Sequence, residues 1–198
     1  NPDMCAVINR MRSDRRSTVP NYVGLPSQSR GGPAYLGQAY GPFPVPGDPS
    51  QPDFKVENVK LAESNPAGRF GERLQILKRL DRLQRGLETS GQAEALDEFQ
   101  KQAVDLLTSS AAARAFDLSR EDRRLRERYG MHMAGQQALL ARRLVESGVD
   151  LVTTTFNGSL CGRVGNWDDH AVNHNVFEGL KHRCPFYDQA VAALIEDL

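Results

Sequence analysis

A chain of 198 residues can bury a core of its own, enough for one domain or for one domain with a helical lobe. Lys and Arg together number 25, as do Asp and Glu, so no net field draws nucleic acid or an anionic membrane surface. Apolar residues make up 39%, as in soluble globular chains, and no apolar run approaches the roughly 20 residues that a membrane span needs.

Asn1, Pro2 and Asp3 offer a helix start, and Met4, Val7, Ile8 and Met11 repeat at helical spacing until the charged "RSDRR". "TVPNYVGLP" reads as a brief extended piece. From Pro26 to Pro52, Gly and Pro recur so often that a long loop without a persistent regular element is expected. Within it, "RGGPAYLGQAYGPF" lacks the Lys and the strand–turn–helix setting of a phosphate loop. Its glycines permit unusual backbone angles, and Tyr35, Leu36, Tyr40 and Phe43 are expected to pin it to the core. "FKVENVKL", Phe54 to Leu61, alternates as a short strand does.

From Arg69 to Gly148 the period is helical. Phe70, Leu74, Leu77 and Leu80 form one stripe, and Leu96, Phe99, Ala103 and Leu106 a second. Ser119 with Asp122 resembles a capping box that opens the helix in "REDRRLRERYG", and Gly130 closes it. The next helix carries Ala134, Ala138, Ala141 and Val145 on one face and stops at Gly148. "VDLVTTTF", Val149 to Phe156, is apolar and β-branched and is the clearest strand in the chain. Pro185 then suggests the start of a helix with Phe186, Ala190, Ala193 and Leu194 on one face. Helix, strand, loop and helix in this order make an α/β unit. The chain thus divides into a loop-rich segment with a short helix and strand at 1–65, a helical lobe at 66–148, and a strand–loop–helix unit at 149–198.

The loop of that last unit holds the densest chemistry. "GNWDDHAVNHNVF", Gly165 to Phe177, packs Asp168, Asp169, His170 and His174 into seven positions of a chain with four histidines. Carboxylate oxygen and neutral imidazole nitrogen are standard ligands for divalent ions, and α/β sheets bind ligands beyond the carboxyl ends of their strands. A catalytic metal takes three or more protein ligands, so the rest must come from elsewhere. His174 could join if the chain turns helical after Asp169, since i and i+4 share a face. The bland alternative is a solvated turn in which Asp168 or Asp169 caps the following helix. His182 reads as a surface residue, and "REDRRLRER" as a solvated helix face rather than an anion clamp. The three cysteines, Cys5, Cys161 and Cys184, allow at most one disulfide, and Cys161 has no base at informative spacing, so it reads as a small buried hydrophobe. No Gly-x-Ser-x-Gly is present.

"GPAYLGQAYGPF", "AFDLSREDRRLRERYG", "GQQALLARRLVESGVDLVTTT" and "NWDDHAVNHNVFEGLK" resemble, in this order and over almost the whole chain, the bacterial family called domain of unknown function 1501. The resemblance implies the alkaline phosphatase and sulfatase superfamily: an α/β doubly wound sheet, present here as a partial fold with a large helical insertion, in metal-dependent hydrolases of phosphate or sulfate esters. The family's Trp-Asp-x-His pattern falls on Trp167, Asp168, Asp169 and His170. Asp168 and His170 become the implied ligands of a divalent metal (zinc, calcium or magnesium), with Asp169 as an outer partner or cap and His174 as an additional donor. The implied substrate is a small-molecule or carbohydrate ester, and the implied location extracytoplasmic, in the periplasm or cell envelope. Such proteins carry their nucleophile upstream of this region and a Glu-Phe-Gly-Arg and Asp-His region downstream. Neither is here, so the chain is expected to be an internal fragment, inactive alone, with no catalytic nucleophile of its own. The competing expectation is a non-catalytic extracytoplasmic binding or scaffold protein that retains the fold. A purely helical interaction protein is a third, and fails if Val149 to Phe156 proves to be a central strand.

Overall fold

In the computed structural model, the residues described are 1–15, 19–26, 31–56, 110–156, 167 and 175–198. Helix α1, Met4–Met11, starts where the Asp3 carboxylate accepts the Ala6 N–H at 2.6 Å. The face carrying Met4, Val7 and Met11 turns to solvent, while Ala6 and Asn9 face inward. Asn9 is satisfied there, its Nδ2 donating to the Tyr40 carbonyl at 3.1 Å.

Strand β1, Tyr22–Leu25, lies between β2, Phe43–Pro44, and β3, Leu151–Thr154, and both pairings are parallel. All four residues of β1 are buried, as expected of a parallel strand covered on both faces. Tyr22 pairs with Leu151 and Leu25 with Thr154, so the carboxyl ends of β1 and β3 lie together. The Gly- and Pro-rich stretch therefore does hold regular pieces: two 3-10 turns, Ala34–Leu36 and Gln38–Tyr40, and strand β2. β2 is short because Pro44 and Pro46 bring no N–H to the ladder, although Val45 N–H still reaches the Gly24 carbonyl at 3.0 Å. Of the residues expected to pin this loop, Tyr40 is buried and Phe43 packs on Phe116 with ring centroids 5.8 Å apart. Leu36 is half-buried, and Tyr35, 80% exposed, points away. Phe54 to Val56 form no strand, and the rest of "FKVENVKL" lies outside the described residues.

The two apolar stripes expected between Phe70 and Leu106 also fall outside the described residues. The described helices resume with α2, Ser110–Ala115, followed by α3, Arg123–Tyr129, and α4, Met133–Glu146. Ser119 does not cap α3. It sits in a 3-10 turn, Leu118–Arg120, that Asp117 caps, and the α3 cap is Asp122, whose carboxylate accepts the Arg124 N–H at 2.7 Å. Gly130 closes α3 at φ 97° as expected. Gly148, at φ 98°, closes α4, with Gly148 N–H on the Val145 carbonyl and Val149 N–H on the Leu144 carbonyl, both at 3.0 Å. These two bonds and the buried Leu144 and Val149 make a Schellman stop. The inward face of α4 is broader than its alanines suggest, since Leu139, Leu140 and Leu144 are buried while Val145 is exposed.

β3 follows α4 after this tight turn and packs back along it. The hydrogen bond from Thr154 Oγ1 to Gln137 Oε1, 3.1 Å, sets the carboxyl end of β3 beside the first turns of α4. A purely helical chain is excluded, although β1 and not β3 holds the centre of the sheet among the described residues. The last helix, α5, spans Val176–Asp197. It begins well before Pro185, because Asn175 Oδ1 accepts the Phe177 N–H at 2.9 Å and Glu178 stands in the first turn. Ala190 and Ala193 are buried, and Phe186 and Leu194 half-buried, on the expected shared face. α5 runs alongside α4 in the same direction: Phe186 meets His132 at one end, and Asp197 accepts from Arg142 at the other. The core joins Val23, Leu25 and Val45 to Leu139, Leu140, Leu144, Ala190 and Ala193 in a mixed α/β arrangement.

Candidate functional site

Parallel strands deliver the chain that follows them to one edge of the sheet, and the Trp-Asp-Asp-His stretch follows β3 in the sequence. Asp168, Asp169, His170 and His174 lie outside the described residues, as does Cys161. Trp167 lies within them, and its surroundings define this end of the molecule. Its indole Nε1–H donates to the Phe156 carbonyl at 2.6 Å, just past the end of β3. Its ring meets Tyr187 edge-on, centroids 5.8 Å apart, and Tyr187 in turn meets Phe156 at 5.4 Å. The Arg183 guanidinium carbon lies 5.2 Å over the indole, and Arg183 is fully buried. A planar, weakly hydrated guanidinium tolerates such a place better than an ammonium, and the indole face attracts it.

Arg183 and Tyr187 were not legible as site residues. Their i, i+4 spacing puts them on one face of a helix, but only if the helix reaches back past Pro185. The signal that would have revealed this is Asn175 followed three positions on by Glu178, a helix-opening pattern.

The first turn of α4 adds a second group to the same edge. His132 is its cap: Nδ1 accepts the Gly135 N–H at 3.2 Å, which requires the neutral imidazole with its proton on Nε2. The ring packs edge-on against Phe186 at 4.9 Å. Burial pushes the His132 pKa below its ordinary value, while Gln189 and the Asp48 carboxylate pull the other way. Burial tends to raise Asp48, but hydrogen bonds from Ser50 and Gln51 hold it below the usual carboxylate value. Gln189 also ties α5 to the end of α3, its Nε2 donating to the Glu127 and Arg128 carbonyls at 3.2 and 3.3 Å. Histidine is not among the favoured caps, so residue type does not announce His132 in this role.

Among the described residues no group of three or more His, Cys, Asp or Glu comes together. Cys5 and Cys184 are both half-buried free thiols, and His182 is half-buried rather than a plain surface residue. "REDRRLRER" is less solvated than expected. Arg123 pairs with Glu127 on the exposed face, but Arg126 donates to the buried Gln136 at 2.7 Å and Arg128 pairs with Asp197. The donor types of Asp168 and His170 suit a divalent ion, and the described neighbours of Trp167 add aromatic rings and one cation rather than further ligands.

The family model described as "Protein of unknown function (DUF1501)" matches residues 1–198. No curated protein and no solved structure matches the chain.

Proposed function

The chain belongs to the DUF1501 family, and on that premise we propose that it contributes the metal-binding loop of a metal-dependent hydrolase of phosphate or sulfate esters, built on a doubly wound sheet of the alkaline phosphatase and sulfatase type. One observation carries the reading most: Trp167, immediately before the Asp-x-His pair in the sequence, is tied both to the end of a parallel strand and to α5. Loops at the carboxyl ends of parallel strands are where α/β sheets take up their ligands.

Asp168 and His170 would hold the cation, with zinc, calcium and magnesium as the candidates. When bound, it would polarise the nonbridging oxygens of the ester. Holding it asks two things of these residues: an ionised Asp168 and a His170 whose coordinating nitrogen is unprotonated. Asp169, at the variable position, serves as a hydrogen-bonding partner of a ligand or as a cap, and His174 as an additional donor. The remaining ligands and the nucleophile come from outside this loop. The substrate is a small-molecule or carbohydrate ester, and the working location is the periplasm or cell envelope.

Metal content measured by plasma mass spectrometry on the purified protein, beside Asp168→Ala and His170→Ala of confirmed fold, tests the proposal. Stoichiometric metal in the wild type, lost in both variants, is the expected result. Metal that is absent, or indifferent to both changes, would instead make this a non-catalytic binding or scaffold protein with a capped loop.

A further inference from the structure

We infer that Trp167 is a positioning residue for Asp168 and His170, and that it fixes the metal-binding loop by joining the end of β3 to α5. The inference rests on the metal-site reading above. Trp167 is the chain's single tryptophan and is 38% exposed, yet three groups hold it. The Phe156 carbonyl takes its Nε1–H at 2.6 Å, the Tyr187 ring meets it edge-on, and the buried Arg183 lies over its face. These holds come from two elements, the strand end and α5, so the indole is located relative to both. An ordinary surface tryptophan has no reason to satisfy all three.

The consequence for the ligands is covalent. The Cα of Asp168 lies about 3.8 Å from that of Trp167, and His170 follows two residues later. A backbone pinned at 167 narrows the conformations open to both and lowers the ordering entropy that a metal would otherwise have to offset. Tryptophan suits the position because one side chain combines an N–H donor with a face wide enough for a guanidinium. Phenylalanine would keep a ring against Tyr187 and Arg183 but lose the bond to Phe156.

The test uses the full chain in two measurements, on wild type, Trp167→Phe and Tyr187→Leu. Both positions are partly exposed, so both variants are expected to fold with the wild-type thermal midpoint. In metal-free protein, hydrogen exchange followed by mass spectrometry is expected to show faster exchange over residues 168–174 in both variants, with residues 134–144 of α4 unchanged. Titration with zinc, calcium and magnesium ions, each alone, is then expected to show the wild type's metal binding weakened about tenfold in Trp167→Phe, the size of loss typical when a group that orients metal ligands is removed.

Metal affinity equal to wild type in both variants would overturn the positioning role and leave the metal site standing. So would exchange that rises equally across α4, because it would mark Trp167 as a general packing residue. A wild type that takes up none of zinc, calcium and magnesium would overturn the metal reading and this inference together.

Discussion

Gly130 shows how much a single position can carry. Its φ of 97° lies in the region that side chains avoid, and an added Cβ would run into the His132 imidazole. Gly130→Ala is therefore expected to destabilise the protein by about 1–3 kcal/mol, read from urea unfolding at unchanged m. His132 itself makes stability depend on pH. Its folded pKa lies below the ordinary 6.5, so the unfolded chain binds the proton more readily. The stabilisation is fully present above pH 6.5 and is lost as the pH falls through the lower folded value. Protonation would also remove the acceptor that caps α4 and set a positive charge at the positive end of a helix dipole. The groups facing it are Asp48, which favours the charged form, Gln189 and the Phe186 ring. Unfolding midpoints measured between pH 8 and 5 are expected to fall on the acid side, and His132→Asn, which retains a capping oxygen, is expected to flatten that fall.

For the elements, the caps decide the boundaries, and they can be tested as such. Asp122→Ala should cost about 1 kcal/mol by removing the bond to the Arg124 N–H, whereas Ser119→Ala should stay within about 0.5 kcal/mol. Equal losses would restore Ser119 as the α3 cap. Asn175→Ala should likewise cost about 1 kcal/mol, because Asn175 starts α5. Pro185 reads as a helix start by its preference for the first turn, yet it stands inside α5, where it brings no N–H to the Lys181 carbonyl and its ring crowds that carbonyl. That cost is offset by anchors on either side, the buried Arg183 before it and Gln189 after it.

At the scale of the molecule, Asp197 gathers three helices. It pairs with Arg128 of α3, accepts from Arg142 of α4 at 3.1 Å, and takes the Tyr129 hydroxyl at 2.9 Å. Its side chain is mostly shielded from water, and burial holds the Tyr129 phenol above its ordinary pKa. Removing the carboxylate would leave two arginines and a buried hydroxyl without their shared acceptor. Asp197→Ala is expected to cost about 2 kcal/mol in chemical denaturation, more than the loss of the exposed Arg123–Glu127 pair, whose removal should be close to neutral.

What the sequence determined by itself is what acts over a few residues. The helix start among Asn1, Pro2 and Asp3, Gly130 and Gly148 as stops, and the β-branched run that becomes β3 depend on bonds between near neighbours and on intrinsic backbone preference, so their residue types announce them. The family motif names Asp168 and His170 only as the proposed ligands, on resemblance and not on geometry. Only the tertiary structure decided that a two-residue piece at Phe43–Pro44 pairs with β1 and that β1 holds the centre of the sheet among the described residues. It also decided that Arg183 is buried under Trp167 and that the indole reaches back to Phe156. Each of these joins residues far apart in the chain, and no local preference encodes such a meeting, because its free energy exists only once the rest of the core has brought the partners together.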